Sequence, residues 1–369
     1  MLPRHPLRDR FVTRLDEHLR RDLAVPEGAR LRPAFSAGPD STALVAALAA
    51  LAPVRGFRVE AVHVHHGLQR QADAWAEQAR ATAERLGVGF RLLAWEGTPG
   101  AGESEEAAAR RARYGLLERS MDAGDWVMTA HHADDQAETV LLYLTRGAGL
   151  DGLSGIERRR AFGAGWLARP LLPFRRAELA AWVEGLGLAT VSDPGNRDPR
   201  FARARVRDRL LPCLAEAMGG EVSASVARSA DLLQDAREVL EGAVEERLAA
   251  LWRAGAPPAL AAAGLAALPA GEGRLVLRAA LRRAGQAPPA REALDRALRL
   301  AARDEAAGRI EWQGGGAERR GGWLWLTEAA LPAADGDSIL AGEGGTAGDR
   351  GTAPEQGPRA GERGQRDGE

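Results

Sequence analysis

Ser36-Ala37-Gly38-Pro39-Asp40-Ser41 joins a mixed segment, residues 31–35, to an apolar run, residues 42–51. The first reads as a strand and the second as a helix, so these six residues are the turn between them. A strand, a tight turn and a helix N-terminus gather free backbone N–H groups and the positive end of a helix dipole at one point, a setting that suits phosphate. Pro39 fits the first helical position, where its missing N–H costs nothing. Gly38 allows the backbone to approach a phosphate closely. Ala37 costs on the order of 1 kcal/mol if its φ is positive and nothing if it is negative. Asp40 is the odd residue. A carboxylate repels phosphates unless a divalent cation lies between them, so Asp40 implies Mg²⁺ and is its candidate ligand.

The chain contains no lysine. That excludes a Walker-type phosphate loop, whose lysine reaches the β- and γ-phosphates, and it excludes pyridoxal chemistry on a lysine. Gly147-Ala148-Gly149-Leu150-Asp151-Gly152 has the spacing of a dinucleotide fingerprint, but it follows a predicted helix instead of a strand, which is the wrong context.

Outward from the turn, strands and helices alternate. Residues 7–23 read as an amphipathic helix. Strands are predicted at 57–63, 89–95 and 126–130, and helices at 72–86, 103–123 and 134–145. This rhythm predicts an α/β fold with a doubly wound parallel sheet, whose ligands bind beyond the carboxyl ends of the strands. Ser36, the stretch from His63 to Gly67, and the stretch from His131 to Asp135 all fall at such ends. From about residue 215 the pattern becomes mainly helical, at 222–252, 275–284 and 289–303. Residues 309–312 and 323–326 then read as a terminal β-hairpin around the Gly-rich stretch 313–322. Trp312, Trp323 and Trp325 on this hairpin suit either core packing or stacking on RNA bases. Residues 332–369 are poor in large apolar side chains and read as a disordered acidic tail. The expected organisation is therefore a domain at 1–214, a second at 215–331, and the tail.

The net charge is −1, but its distribution is uneven. Residues 157–209 hold twelve arginines against six acids, and residues 335–369 hold eight acids against four arginines. Screening isolates the two regions, so the basic block can attract phosphates while the tail cancels it only on paper. A solvated arginine-rich surface is the plainer alternative. A single cysteine, Cys213, cannot form an internal disulfide and points to a reducing cytoplasm. The N-terminal stretch is charged and interrupted by Pro3 and Pro6, unlike a secretion signal, and no apolar run is long enough to span a membrane.

Five of the seven histidines lie in two clusters, His63, His65, His66 and His131, His132. Zinc is conceivable there, but no cysteine lies nearby, and a nucleotide or acceptor pocket suits the imidazoles better. Asp134 and Asp135 open a predicted helix, and Asp135 with Glu138 has capping-box spacing, so a capping role competes with a substrate role. Arg200, Arg203 and Arg207 fall at i, i+3 and i+7, on one predicted helix face.

The 36–41 stretch resembles the S-G-G-x-D-S signature of the PP-loop ATP pyrophosphatases. The resemblance continues in order through Val62-His63-Val64-His65-His66-Gly67-Leu68, the stretch from Thr129 to Thr139, Arg169-Pro170-Leu171-Leu172, and the segment from Asp193 to Pro212. Over about residues 30–215 the chain is similar to the tRNA(Ile)-lysidine synthases. That resemblance implies ATP and Mg as cofactors, with ATP held by Ser36, Ala37, Gly38, Pro39, Asp40 and Ser41, and cleavage to AMP and pyrophosphate. It implies, as partners, free lysine and an isoleucine tRNA with a CAU anticodon, the second domain docking the tRNA; a homodimer is compatible with it. It marks His131 as an active-site residue, Asp135 as the ligand of the lysine amine, and Arg203 as a group that stabilises charge on an adenylated intermediate. Ala37 and Ala204 depart from the family pattern, which has glycine and asparagine there. Another PP-loop tRNA-modifying or amide-forming enzyme, or a non-catalytic nucleotide- or RNA-binding protein, are the competing readings.

Overall fold

The structure, a computed structural model, describes residues 2, 5–65, 71–95, 97–100, 102, 104–191, 200–303 and 307–328. Asp193-Pro194-Gly195-Asn196, at the start of the family-like segment, together with His66 and the acidic tail, lie outside these residues. The described chain forms two compact units that divide between Arg247 and Leu248.

In the first unit, helix α1 (Arg10–Arg21) is capped by Asp9, whose side chain accepts hydrogen bonds from the backbone of Phe11 and Val12. The alternation then follows as β1 (Arg30–Pro33), α2 (Pro39–Arg55), β2 (Arg58–His65), α3 (Ala72–Leu86), β3 (Gly89–Ala94), α4 (Glu105–Arg119), β4 (Trp126–Met128) and α5 (Ala133–Leu144). A short α6 (Leu150–Leu153) leads to a hairpin, β5 (Arg159–Phe162) and β6 (Gly165–Ala168), and then to α7 (Arg176–Gly185). Beyond the undescribed segment come α8 (Ala202–Arg205), a π turn (Val206–Leu210), α9 (Leu211–Met218) and the long α10 (Val222–Leu251).

Six strands make one sheet in the order β3-β2-β1-β4-β6-β5, parallel throughout except for β5. The chain winds from β1 outward to β3 and then returns to the other side of β1 with β4. The strand order therefore reverses between β1 and β4, and their carboxyl ends flank a crevice of the kind where open α/β sheets bind ligands. Helix α2 is buried from Ser41 to Leu51 because it is small and apolar on every side. Its residues pack with Leu15, Leu19, Leu31 and Phe174 on one side, and with Phe35, Ala61, Ala79 and Ala83 on the other. Pro33 stands in a central strand, which a missing N–H normally forbids. The ladder to β2 accordingly stops after Leu31 and resumes as the bridge between Ala34 and Val62.

A buried arginine ties this centre together. Arg32 donates to Glu60 on β2 at 2.6 Å, to Asp122 at 3.0 Å and to Asp125, just before β4. Asp125 is fully buried, and its carboxylate also accepts the Asp122 backbone N–H at 2.9 Å.

The second unit has β7 (Trp252–Arg253), β8 (Ala259–Ala261), α11 (Ala262–Ala266), α12 (Ala270–Arg283), α13 (Arg291–Ala301), β9 (Gly308–Trp312), β10 (Gly315–Arg320) and β11 (Trp323–Thr327). The strands form an antiparallel sheet in the order β7-β8-β11-β10-β9, with α11 and α13 packed on it. This corrects the expected hairpin, because the Gly-rich stretch read as its loop contains β10. Glycine lowers strand propensity, which hides the strand. The reversal lies at Gly321-Gly322, both with positive φ, a two-residue turn whose twist matches a hairpin.

Asp125→Ala removes the one fully buried carboxylate of the three that hold Arg32, leaving Glu60 and Asp122. Losing a hydrogen-bond partner of a charged group costs about 1.5–3 kcal/mol, so chemical denaturation should show a loss of that size, with the midpoint falling and the slope unchanged.

Candidate functional site

The site is built where β1 and β4 end. Phe35 follows β1 and donates its N–H to the Val62 carbonyl at 2.8 Å, while the His63 imidazole bonds the Phe35 carbonyl at 2.7 Å. His63 therefore braces the entry to the turn, and burial holds its pKa below the usual histidine value. His65 instead pairs with Asp73 at 3.0 Å, so neighbouring members of the first histidine cluster have separate partners.

Ala37 has φ +60°, which settles the question its sequence left open. It occupies the left-handed region that glycine tolerates and alanine does not, and its carbonyl accepts the Val191 N–H at 2.9 Å. Its methyl is fully buried against Phe35, Val45, Ala46 and Ala49, which offsets part of the strain. Ser36 Oγ and Ser41 Oγ lie 3.1 Å apart, and Ser41 Oγ donates to the Gly38 carbonyl at 3.0 Å. Gly38 is the N-cap of α2 and has no side chain to cap with. The backbone N–H groups of the first turn are thus left to an anion.

Asp40 sits in that first turn. One of its carboxylate oxygens, Oδ1, is buried without a hydrogen-bond partner, and the other lies 3.6 Å from His132 Nε2. A buried carboxylate oxygen without a donor suits a cation, so the residues present fit the Mg²⁺ that the turn implies.

His131 and His132 follow β4. His132 is the N-cap of α5: its backbone N–H donates to Asp135 Oδ2 at 3.1 Å, and its Nδ1, when the ring is neutral, accepts the Asp135 N–H at 3.4 Å, a capping box that corrects the expected pairing of Asp135 with Glu138. Burial pushes the His132 pKa down, but Asp40, Asp135 and Asp134 outweigh it and raise it above the ordinary value. His131 bonds Thr129 Oγ1 at 2.8 Å, and burial, aided by Arg169 and Arg203, pushes its pKa down to about 4. Asp134, 3.6 Å from His132 Nδ1, also accepts the Arg176 N–H at 2.9 Å, at the start of α7.

Asp135 accepts Arg203 Nη2 at 2.8 Å, and its pKa is lowered because His132 and Arg203 together overcome the effect of burial. Glu138, fully buried one turn along α5, holds Arg203 Nε at 2.6 Å and Arg207 Nε at 2.6 Å. Arg203 and Arg207 do share a face, but Arg200 precedes α8 and is not on it. Sequence reasoning gave Glu138 no role beyond capping. The available signal was its position one turn from Asp135 on an otherwise apolar helix face. Ala204 is buried where the family has asparagine. Gln136 was also missed. Its amide bonds both the N–H and the carbonyl of Ile156, and Gly155, at positive φ, leaves room for it.

Residues 8–214 match the family model of the PP-loop domain. The chain belongs to the PP-loop family. Residues 260–325 also match the TilS substrate binding domain. Over 72% of its length the chain is 43% identical to the tRNA(Ile)-lysidine synthase of Methylococcus capsulatus, covering 60% of that protein. It is likewise 43% identical to the synthase of Alkalilimnicola ehrlichii, covering 59% of it. With that of Ralstonia nicotianae it shares 41% identity over 82% of this chain and 65% of the relative. The chain thus spans about six tenths of the length of the first two of these relatives. The turn from Ser36 to Ser41 lies within the matched PP-loop stretch.

Ala37→Gly should leave thermal stability unchanged or raise it by up to about 1 kcal/mol, since left-handed strain of about 1–2 kcal/mol opposes the loss of a buried methyl worth about 0.8 kcal/mol. Ala37→Val, β-branched at the same φ, should lower it clearly. NMR titration should place the His131 midpoint near 4 and the His132 midpoint above 6.5. By linkage, the stability contributed by charged His132 is complete below pH 6.5 and is lost as pH rises through its raised value. His131 acts oppositely, withdrawing stability as pH falls from 6.5 toward 4.

Proposed function

We propose that this protein converts the wobble cytidine of the CAU-anticodon isoleucine tRNA to lysidine, in the cytoplasm, using ATP and free lysine. The observation that carries this reading is the meeting of Asp40, from the phosphate turn, with His132 and Asp135, from the strand end beside it, in a chain similar to tRNA(Ile)-lysidine synthases. Among the described residues, no helix is long and apolar enough to cross a membrane.

In the first step the cytosine ring carbonyl oxygen attacks the α-phosphorus of ATP, and pyrophosphate leaves. In the second the lysine ammonium gives a proton to solvent, the free amine attacks the ring carbon and gives up a further proton to solvent, and AMP leaves with the former carbonyl oxygen. Adenylation is needed because a carbonyl oxygen is itself a very poor leaving group. The first-turn N–H groups of α2 with Ser36 and Ser41 cradle the phosphates, and Asp40 would hold a magnesium ion, which would supply charge neutralisation there. His131, neutral at working pH, adds no positive charge to repel the lysine ammonium. Asp135 attracts that ammonium. Arg203 keeps its hold on Glu138 through Nε when Nη2 leaves Asp135, so it stays positioned to stabilise phosphate charge. The domain at 1–214 carries the chemistry, and the domain at 215–331 docks the tRNA.

Incubation with ATP, lysine and each tRNA should give AMP and pyrophosphate only with the cognate tRNA. ADP as the product would overturn the reading. Asp40→Asn should abolish adenylation with the fold intact. Asp135→Asn keeps an acceptor for the His132 N–H but loses the charge, so lysine titration should show a raised KM or lowered kcat, with tRNA affinity and its salt dependence unchanged. Because Arg203 loses an ion-pair partner, that variant should also lose on the order of 1–3 kcal/mol of stability.

A further inference from the structure

The second unit has a sheet face that the chemistry above does not use. Leu324 and Leu326 of β11 are buried, while Trp323 and Trp325 point to the opposite face and are half-exposed. On β8, Ala261 pairs with Trp323 and Ala259 with Trp325, and Ala259 is fully buried beside the indoles. Arg253, which pairs with Ala259 from β7, reaches across it. Its guanidinium carbon lies 5.0 Å from the Trp323 ring centroid and 5.5 Å from that of Trp325. Arg320 pairs with Trp323 from β10, and its guanidinium lies 5.5 Å from the Trp325 ring. Trp325 Nε1–H donates to the Arg320 carbonyl at 3.2 Å, which fixes the indole.

Arg253 and Arg320 are exposed, and among the described residues neither is paired with a carboxylate. On β9, by contrast, Arg309 pairs with Glu311 at 2.8 Å. Glu318 is the other acid of this face, and its register neighbours are Arg309 and Trp325. Beside the tryptophans the two guanidiniums of Arg253 and Arg320 thus outnumber the one carboxylate, Glu318. A guanidinium already held on an indole has lost rotamer freedom, so presenting its N–H groups to an anion costs little further entropy. Half-exposed indoles interleaved with unneutralised guanidiniums match the needs of an unpaired nucleic acid strand, whose bases stack and whose phosphates need cations.

We propose that this face binds an unpaired stretch of RNA, with bases on Trp323 and Trp325 and phosphates on Arg253 and Arg320. The proposal rests on the reading above only for the identity of that RNA as tRNA. The full chain should bind a short labelled oligouridylate in an anisotropy titration. Trp325→Leu should weaken this about fivefold or more, the effect of losing one stacked base, whereas Trp325→Phe should retain most of it. The doubly substituted R253Q/R320Q chain should show a salt slope shallower by about 0.7 for each phosphate it no longer neutralises. Its side chains are exposed, so it decides the matter if Trp325→Leu destabilises the unit. Absence of oligouridylate binding by the unsubstituted chain, or wild-type affinity and slope in R253Q/R320Q, would overturn the proposal. Lysine-dependent turnover of the tRNA together with that unaltered binding would overturn this surface and leave the lysidine reading standing. Binding that these variants lose, in a chain that does not turn over tRNA with lysine, would support the surface and sink the lysidine reading.

Discussion

The parallel pairing of β1 with β4 is the constraint on which the rest of the site depends. It sets Leu31 against Trp126 and Pro33 against Met128, so both strands end at the same height. Each is followed by a helix, and the N-termini of α2 and α5 therefore stand side by side at the point where the winding reverses. Two positive helix ends at close range call for negative charge between them. Asp40 and Asp135 supply it, with His132 placed between the two carboxylates.

Arg32 secures this pairing from the other end of the strands. Its buried guanidinium joins β1, β2 and the turn before β4 through three carboxylates. The arrangement compensates for Pro33, which removes a ladder hydrogen bond from the middle of the sheet. A charged network around Arg32 and the Asp40, His132 and Asp135 cluster at the carboxyl ends thus share one pair of strands.

The site uses its charges in two layers. Glu138 is fully buried and engages Arg203 and Arg207 permanently, whereas Asp135 shares Arg203 from a position beside the crevice. A carboxylate whose only cation were Arg203 would have to break that pair to meet a substrate ammonium. With Glu138 behind it, the arginine remains held when the nearer contact opens. Strain is also tolerated at this centre, since Ala37 keeps a left-handed backbone while burying its methyl.

Local patterns along the chain carried the α/β alternation, the strand-to-helix turn at Ser36 to Ser41 and the placing of His131 and Asp135 at a strand end. These depend on side-chain periodicity and on the chemistry of a few adjacent residues, which are written in order along the chain. The positive φ of Ala37, the box between His132 and Asp135, the anchoring by Glu138 and the strand hidden in residues 313–322 were not legible in that way. Each depends on what lies opposite in space: Val191 on Ala37, Arg203 and Arg207 on Glu138, and Ile310 and Leu326 on either side of Ala317. A backbone angle or a buried charge is set by partners distant in sequence, and a glycine-rich segment becomes a strand only when neighbouring strands supply its hydrogen bonds.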